Sequence, residues 1–318
     1  MLTSAAEKLF SPLLAITGTV LSRGKLSILI YHQVLAEFDP MRPTEPTAQT
    51  FDWQMALLAR YFTPLSLTDA LQHLKNNTLP ANAVCVTFDD GYLNNLTVAA
   101  PILAKHHIPA TVYVATAFSQ GGNMWNDRLI DLCGDLNRTE LITPEGKTAL
   151  TDWPSRLAAA EKLLKQYKYL AVTERLQAVE VLYNLNNATE YPARMMTPAQ
   201  ICQLAAAGVT IGAHTHNHPI LKSLPSEAQQ QEIIQSKQWL EQWLQQPVTH
   251  FAYPNGVAGR DFDEVAVQHV QQAGFASAVV TDWGYSDANT AQLKLKRFTP
   301  WDKQPFKFHL RLIKNYLS

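Results

Sequence analysis

Short apolar runs rich in β-branched residues alternate along this chain with stretches whose apolar positions recur every three or four residues. The runs predict strands at Ser27–Tyr31, Val84–Phe88, Thr111–Ala115, Val209–Ala213, His250–Tyr253 and Ala276–Thr281. The helical stretches are Phe51–Tyr61 after Thr50, Leu67–Lys75 after Ser66, Pro198–Ala207 between Thr197 and Gly208, Glu227–Leu244 after Ser226, and Asp263–Ala273 before Gly274. Polar hydroxyl or carboxylate residues stand before these helices and glycine after several of them, as the unpaired groups at helix ends require. Strand-then-helix alternation implies parallel strands covered by helices, hence an α/β fold of the doubly wound or barrel kind.

Two regions depart from this rhythm. From about 119 to 195 no strong strand pattern appears, and Leu157, Leu163, Leu164, Leu176, Val179 and Leu182 give a helical stripe over Pro154–Leu185. We expect a helical insertion there, one that either shapes a substrate groove or packs on the outside. At the other departure, Leu9, Leu13, Ile16 and Val20 recur at helical spacing after Ser11-Pro12, predicting an amphipathic helix within residues 1–24 ahead of a main domain over 25–318. Such a helix either docks on its own domain or lies on a membrane surface with Lys8, Arg23 and Lys25 near the headgroups. The segment lacks the basic start and small-residue cleavage site of a signal peptide, and no apolar run approaches the ~20 residues of a membrane-spanning helix.

Composition narrows the classes. With 26 Lys+Arg against 27 Asp+Glu among 318 residues, the formal net charge is -1, which argues against a broad nucleic-acid footprint. A chain 47% hydrophobic and 17% charged folds rather than staying disordered. The three cysteines (Cys85, Cys133 and Cys202) have neither a disulfide framework's density nor the CxxC spacing of a thiolate zinc site. They read as core thiols of a reducing compartment.

The informative feature is what ends the strands. Ser27–Tyr31 runs into His32, Val84–Phe88 into Asp89-Asp90-Gly91-Tyr92, Val209–Ala213 into His214-Thr215-His216-Asn217-His218-Pro219, and His250–Tyr253 into Pro254-Asn255-Gly256. In parallel α/β folds the carboxyl ends of the strands lie on one face, where residues distant in sequence converge. His214 and His218, four positions apart at a strand end, can face one point, and one carboxylate beside them completes an open three-ligand metal site of the catalytic kind. Adjacent carboxylates repel unless a cation neutralises one, so Asp90 on a metal leaves Asp89 free as a base. His216 then points elsewhere. His73, His106, His107, His250, His269 and His309 have no comparable company and read as surface or core residues.

These residues resemble the polysaccharide deacetylase family, the NodB-homology domain of carbohydrate esterase family 4. Thr87-Phe88-Asp89-Asp90-Gly91-Tyr92 matches its first motif, and His214-Thr215-x-x-His218-Pro219 its second. The resemblance spans about Ser27 to Trp301, interrupted by the insertion. It implies a distorted, TIM-like (β/α) barrel of about seven strands, with Asp90, His214 and His218 as metal ligands and Asp89 as the catalytic base. In the third motif, Tyr253-Pro254-Asn255-Gly256, Asn stands where the family usually has an aromatic; Asn255 and Tyr253 are the implied oxyanion and substrate residues. The opening Ile30-Tyr31-His32 resembles members acting on biofilm poly-N-acetylglucosamine, whose motif order is permuted, and this places the catalytic acid at His32. Arg297, before Phe298-Thr299-Pro300, resembles the late arginine that orients the base.

The function so implied is removal of N-acetyl groups from an amino-sugar polysaccharide or oligosaccharide, with a divalent metal. Zn2+ suits two imidazoles and a carboxylate; Co2+, Ni2+ or Fe2+ are the alternatives. The rival functions are deacetylation or deformylation of a lipid-linked sugar, which a surface helix would suit, and an inactive carbohydrate-binding module on the same scaffold. The expected partner is an N-acetylated glycan, not nucleic acid. Cytoplasmic or inner-membrane-peripheral residence is expected, with export as the alternative, and the sequence sets no oligomeric state.

Overall fold

In the computed structural model, which describes residues 17–318, the alternation folds into a curled parallel sheet wrapped by helices. The strands are β1 (Ser27–Tyr31), β2 (Thr63–Pro64), β3 (Ala83–Phe88) and β4 (Ala110–Val114); then β5 (Glu140–Thr143) and β6 (Gly146–Ala149), a separate antiparallel pair; then β7 (Thr210–Ala213), β8 (His250–Ala252) and β9 (Ser277–Val279). The sheet has seven strands in the order β1-β3-β4-β7-β8-β9, with β2 added to β3, all parallel. Its two ends are linked by the segment 295–298. Leu295 bridges Val279 and Phe298 bridges Leu29, both in parallel, with Phe298 N donating to Ile28 O at 3.0 Å and Val280 N to Leu295 O at 2.8 Å. The result is the distorted barrel the motifs imply.

The helices are α1 (Ala48–Tyr61), α2 (Leu67–Lys75), α3 (Ala100–Lys105), α4 (Trp125–Gly134), α5 (Trp153–Tyr167), α6 (Val172–Leu185), α7 (Pro198–Ala206), α8 (Ser226–Leu244), α9 (Glu264–Gln272) and α10 (Pro305–Asn315). Strand parity sorts the core. Leu29, Val84, Val86, Phe88, Val112, Ile211, Ala213, Phe251 and Tyr253 pack outward with the helices, while Ile28, Cys85, Tyr113, Ala252, Val279 and Leu295 form a second cluster inside the curl. Because both faces of β1, β3 and β4 are covered, every residue in those strands is buried.

Several boundaries shift from the sequence-based expectation. Helix α1 begins at Ala48, and its cap is Thr47, whose Oγ1 accepts from Thr50 N; Thr50 lies inside the first turn. Helix α7 is held by the expected Thr197, in a capping box with Gln200. The insertion is not wholly helical, since β5 and β6 form a hairpin, and the stripe over Pro154–Leu185 is two helices broken at 168–171. The insertion owns a hydrophobic cluster built from Trp125, Leu129, Leu132, Leu141, Leu150, Leu163, Val179 and Leu182. Arg156 knits it together by donating to the carbonyls of Cys133, Asp135, Arg138 and Leu150. Arg42, from a loop of the barrel, ties it down through Asp127 and Asp131 of α4, both at 2.8 Å.

Of the N-terminal amphipathic helix expected over 1–24, Leu9, Leu13 and Ile16 lie outside the described residues. Residues 17–21 are helical and end against the domain: Ser22 Oγ accepts from Asn82 N at 2.7 Å, Leu21 packs on the main core, and Val20 is exposed. Among the described residues no helix is long and apolar enough to cross a membrane. Cys85 and Cys133 are buried and Cys202 half-buried, all as free thiols.

Candidate active site

Four strand ends converge at the mouth of the curl. Leaving β3, the chain places Asp89 by ordinary parity, on the side of Cys85 rather than Phe88. Asp90 would then face the helices, and it does not, because its φ is +75°. The left-handed residue turns the second carboxyl back toward the first, and Gly91 continues the turn at φ +89°, where a Cβ would also lie 3.1 Å from the Val114 side chain. After β7, Thr215 (φ +63°) and His218 (φ +52°) repeat the device, and Asn255 (φ +58°) does so after β8. A β-branched residue in that region is costly, about 1–3 kcal/mol, and such strain gathers where function over-determines the backbone.

The histidine loop is braced from outside. Glu232 of α8 accepts from His216 N at 3.0 Å and Asn217 N at 2.7 Å through one oxygen, and from Asn217 Nδ2 at 2.7 Å through the other. Thr215 Oγ1 donates to the His214 carbonyl and accepts from His218 N at 3.2 Å. His216, as expected, turns aside, its Nδ1 pairing with Thr116 Oγ1 at 2.9 Å. His214 Nδ1 lies 2.7 Å from the Ala252 carbonyl oxygen. Since a carbonyl only accepts, Nδ1 carries the proton and Nε2 presents its lone pair to the site.

That lone pair, His218 Nε2 and Asp90 Oδ1 meet at one point. His214 Nε2 is 3.5 Å and His218 Nε2 is 3.4 Å from Asp90 Oδ1, and all three ligand atoms lie within 4.8 Å of one another. Ligands ~2.0–2.1 Å from a shared tetrahedral ion are about 3.3 Å apart. Asp90 Oδ1 is buried and has no hydrogen-bond partner among the described residues, so the oxygen aimed between the two imidazoles is the one left unsatisfied. The trio therefore fits a divalent cation. Burial raises the Asp90 pKa, but the neighbouring imidazoles of His214, His218 and His32 outweigh it and hold the carboxyl well below its ordinary value. Burial pushes His218 down to about 4, which keeps it neutral and able to ligate. At His214 burial also lowers the pKa, but Asp89 and Asp90 raise it more: the pair of carboxylates draws positive charge to this spot.

Asp89 stays outside the trio and is clamped separately. Arg297, fully buried, donates from its two terminal nitrogens to Oδ1 at 2.7 Å and Oδ2 at 2.8 Å, from one of them also to Thr87 Oγ1 at 3.2 Å, and from Nε to the Val280 carbonyl at 3.0 Å. Burial favours the neutral acid, yet Arg297 and then His214 reverse it, so Asp89 is ionised well below the usual carboxylate range.

These groups stand in a cleft of about 630 Å³ that is also lined by His32, Glu45, Asn255, Thr281 and Thr299. The insertion forms its far wall, with Trp125 and Ile130 of α4, Leu157 and Leu164 of α5, and Arg175 of α6. The insertion thus shapes the groove. Tyr253 is not brought to the cleft: its ring lies buried in the helix layer, stacked 3.9 Å from Phe262. Parity carries that signal, since Tyr253 shares the face of Phe251. His309 is buried in α10 against Tyr61 and Phe62, away from the cleft, and His250 is buried between Thr68 and Ser277. Sequence reasoning missed Glu45, half-buried in the cleft with His32, its carboxyl pKa raised by the surrounding desolvation, and missed Glu232 and Arg175.

A family model for polysaccharide deacetylase matches residues 76–141 and 143–277, a span that begins after His32 and ends before Arg297. The chain is 21% identical over 274 residues to YxkH of Bacillus subtilis, provisionally named a polysaccharide deacetylase, covering 86% of this chain and 70% of that protein. The fold is similar to the Streptococcus pyogenes deacetylase PplD in complex with acetate (TM-score 0.62, 22% identity, 91% of this chain and 98% of that one). It is similar also to IcaB from Ammonifex degensii (TM-score 0.58, 18% identity, 93% and 98%). With its aspartate pair and histidine pair in place on a matching barrel, the chain belongs to the polysaccharide deacetylase family.

Proposed function

We propose that this protein is a metal-dependent hydrolase that removes N-acetyl groups from an amino-sugar glycan. The observation that carries the proposal is the unsatisfied Asp90 Oδ1 between the Nε2 atoms of His214 and His218, with a second, ionised carboxylate clamped alongside. A divalent ion, zinc by the donor set, would be held by Asp90, His214 and His218 and would supply Lewis acidity, polarising an acetyl carbonyl and lowering the pKa of water toward about 7. Asp89 takes the proton of the attacking water, and Arg297 keeps that carboxylate charged and fixed in direction. Asn255 brings a strand-end turn to the cleft where the oxyanion develops; a main-chain donor there contributes ~3 kcal/mol. His32, on the cleft wall, protonates the leaving amine, a contribution of roughly 10²–10⁴-fold. Acetate and a free amino sugar leave.

A glycan is favoured over a small amide because the cleft continues. A second cavity of about 380 Å³ shares His32, Glu45 and Thr299 with the first and is lined by Phe38 and Trp301, both exposed and able to stack on sugar faces. The test is acetate release from N-acetylglucosamine oligomers by protein as purified, chelated, and reloaded with zinc. Activity that disappears with chelator and returns with zinc is expected, as is loss of both metal and turnover in Asp90→Ala. Equal acetate release in all three preparations overturns the metal assignment. Asp89→Asn should keep its metal and lose turnover, and an Asp89→Asn protein without metal contradicts the division of labour between the two carboxylates.

A further inference from the structure

Five arginines are buried among the described residues, and four of them are answered. Arg42 meets Asp127 and Asp131, Arg128 meets Glu180 and Glu190, Arg156 donates to four carbonyls at 2.7–3.1 Å, and Arg297 holds Asp89. Arg175 is the exception. It is 4% exposed and its Nε has no partner among the described residues. A 3.4 Å contact from one terminal nitrogen to the Lys168 carbonyl is all that the described residues offer it, and none of its nitrogens has a carboxylate within 4.0 Å. A buried charge without a counter-charge is expensive, and native chains rarely leave one so. Arg175 nonetheless sits on the wall of the catalytic cleft, its guanidinium stacked 4.8 Å from the Trp125 ring centre, and Trp125 lines the cleft too. Lys165 and Lys168 line the same wall, and neither has an ion-pair partner among the described residues; of the insertion's carboxylates that line the cleft, Asp127 is already paired with Arg42, and Glu161 is the other.

We infer that Arg175, with Lys168 and Lys165, forms an anion subsite, and that the glycan this enzyme deacetylates carries a carboxylate or phosphate group close to the N-acetyl sugar. The inference rests on the deacetylase function proposed above and names its substrate class. Burial depresses the Arg175 pKa to about 10 with no acidic group to restore it, the signature of a cation whose partner arrives with a ligand. Arg175 and His218 line one and the same cleft, so the anion bound by Arg175 shares that cleft with the reacting acetyl group. A planar fork presented from an aromatic face suits both carboxylate and phosphate oxygens.

The experiment uses the zinc-loaded full chain and three oligomers of equal length. One is neutral N-acetylglucosamine, one alternates N-acetylglucosamine with glucuronate, and one carries a phosphate ester; the last two separate the sources of anion. At least one anionic oligomer should exceed the neutral one in kcat/KM by about tenfold or more, mainly through KM, as expected for one charged hydrogen-bonded group. Arg175→Gln should bring that ratio to within about twofold of unity, and Lys168→Gln should lower it partly. A neutral oligomer used as efficiently as both anionic ones overturns the inference, as does a folded Arg175→Gln protein that keeps the preference. Should Arg175→Gln fail to fold, the half-buried Lys168→Gln and inhibition of wild-type turnover by free glucuronate and inorganic phosphate decide it. If no oligomer releases acetate, the deacetylase function fails. Calorimetric binding of the same oligomers then judges the subsite separately: tighter binding of an anionic one supports it, and equal binding overturns it.

Discussion

Replacing Arg297 by Gln tests how a fully buried carboxylate is kept ready to accept a proton. Both oxygens of Asp89 accept from the guanidinium, at 2.7 and 2.8 Å, and neither side chain reaches solvent to any extent. Two unit charges about 4 Å apart interact by about 4 kcal/mol at an effective dielectric near 20. Stranding one partner of a buried pair costs about 3–5 kcal/mol for the same reason. Against a typical total stability of about 5–15 kcal/mol, the Arg297→Gln protein should melt far below the parent. The pH dependence changes as well. With Arg297 present the folded pKa of Asp89 lies below its unfolded value, so the pair's stabilisation is complete above the unfolded pKa and is lost as pH falls through the folded one. Without Arg297, burial dominates and the carboxyl pKa rises, moving the acid limb of kcat/KM toward neutral pH. Acetate release and thermal melts, each run from about pH 4 to about pH 9, read both effects. The double variant Asp89→Asn/Arg297→Gln strands no charge and should recover most of the lost stability, a coupling that a double-mutant cycle isolates. An Arg297→Gln protein with the parent's melting temperature and an unmoved acid limb refutes the account.

Three other perturbations probe different links. His32→Ala should retain bound metal and slow turnover by at least about tenfold, the lower end of general-acid effects, and unchanged kinetics would remove His32 from the reaction. Glu232→Ala strips three acceptor contacts from the loop that carries the histidines, so metal affinity measured by competition with a chelator should fall about 10–100-fold while the barrel stays folded. His250 and His309 are buried and neutral, each pushed down to about 4 by burial alone, so the unfolded chain binds protons that the folded one refuses. Stability should therefore decline as pH falls from about 6.5 toward 4, and His309→Phe should flatten that decline in thermal melts.

The barrel and the convergence of Asp90, His214 and His218 are legible in the sequence because of two simple periodicities. Parallel strands buried on both faces read as short apolar runs, and their carboxyl ends share one face, so His32, Asp89-Asp90 and His214-x-x-x-His218 converge without any contact having to be known. What stayed hidden has equally physical reasons. β2 is two residues long and the 295–298 segment joins the sheet through single bridges, too little chain to show a period. The β5–β6 hairpin is mostly exposed and carries almost no apolar signal. Thr47 and Thr50 both look like caps, and only backbone geometry shows which one stands outside the helix. Arg175 and Glu232 read as ordinary solvent-facing charges of amphipathic helices, because burial of a charged residue depends on what packs over it from elsewhere in the chain.

Strand parity also explains why neighbouring residues at the site have different fates. Alternation sends Ile30, and hence His32, toward the cleft, and sends Phe251 and Tyr253 toward the helices, so the burial of Tyr253 against Phe262 follows from the same rule that delivers His32. Under that rule two adjacent aspartates should diverge. They meet because Asp90 leaves the strand conformation for φ +75°, a conformation that aspartate tolerates and that Gly91 extends. Left-handed residues at Thr215, His218 and Asn255 likewise release the other loops from strand alternation at the points where they reach the cleft. The barrel thus supplies convergence, and these few strained residues supply aim. Any substitution that favours extended backbone at position 90, Asp90→Val for instance, removes the ligand and the turn together, whereas Asp90→Asn keeps the turn and removes only the charge. The difference in stability between those two variants combines the turn with the exchange of a buried amide for an apolar side chain.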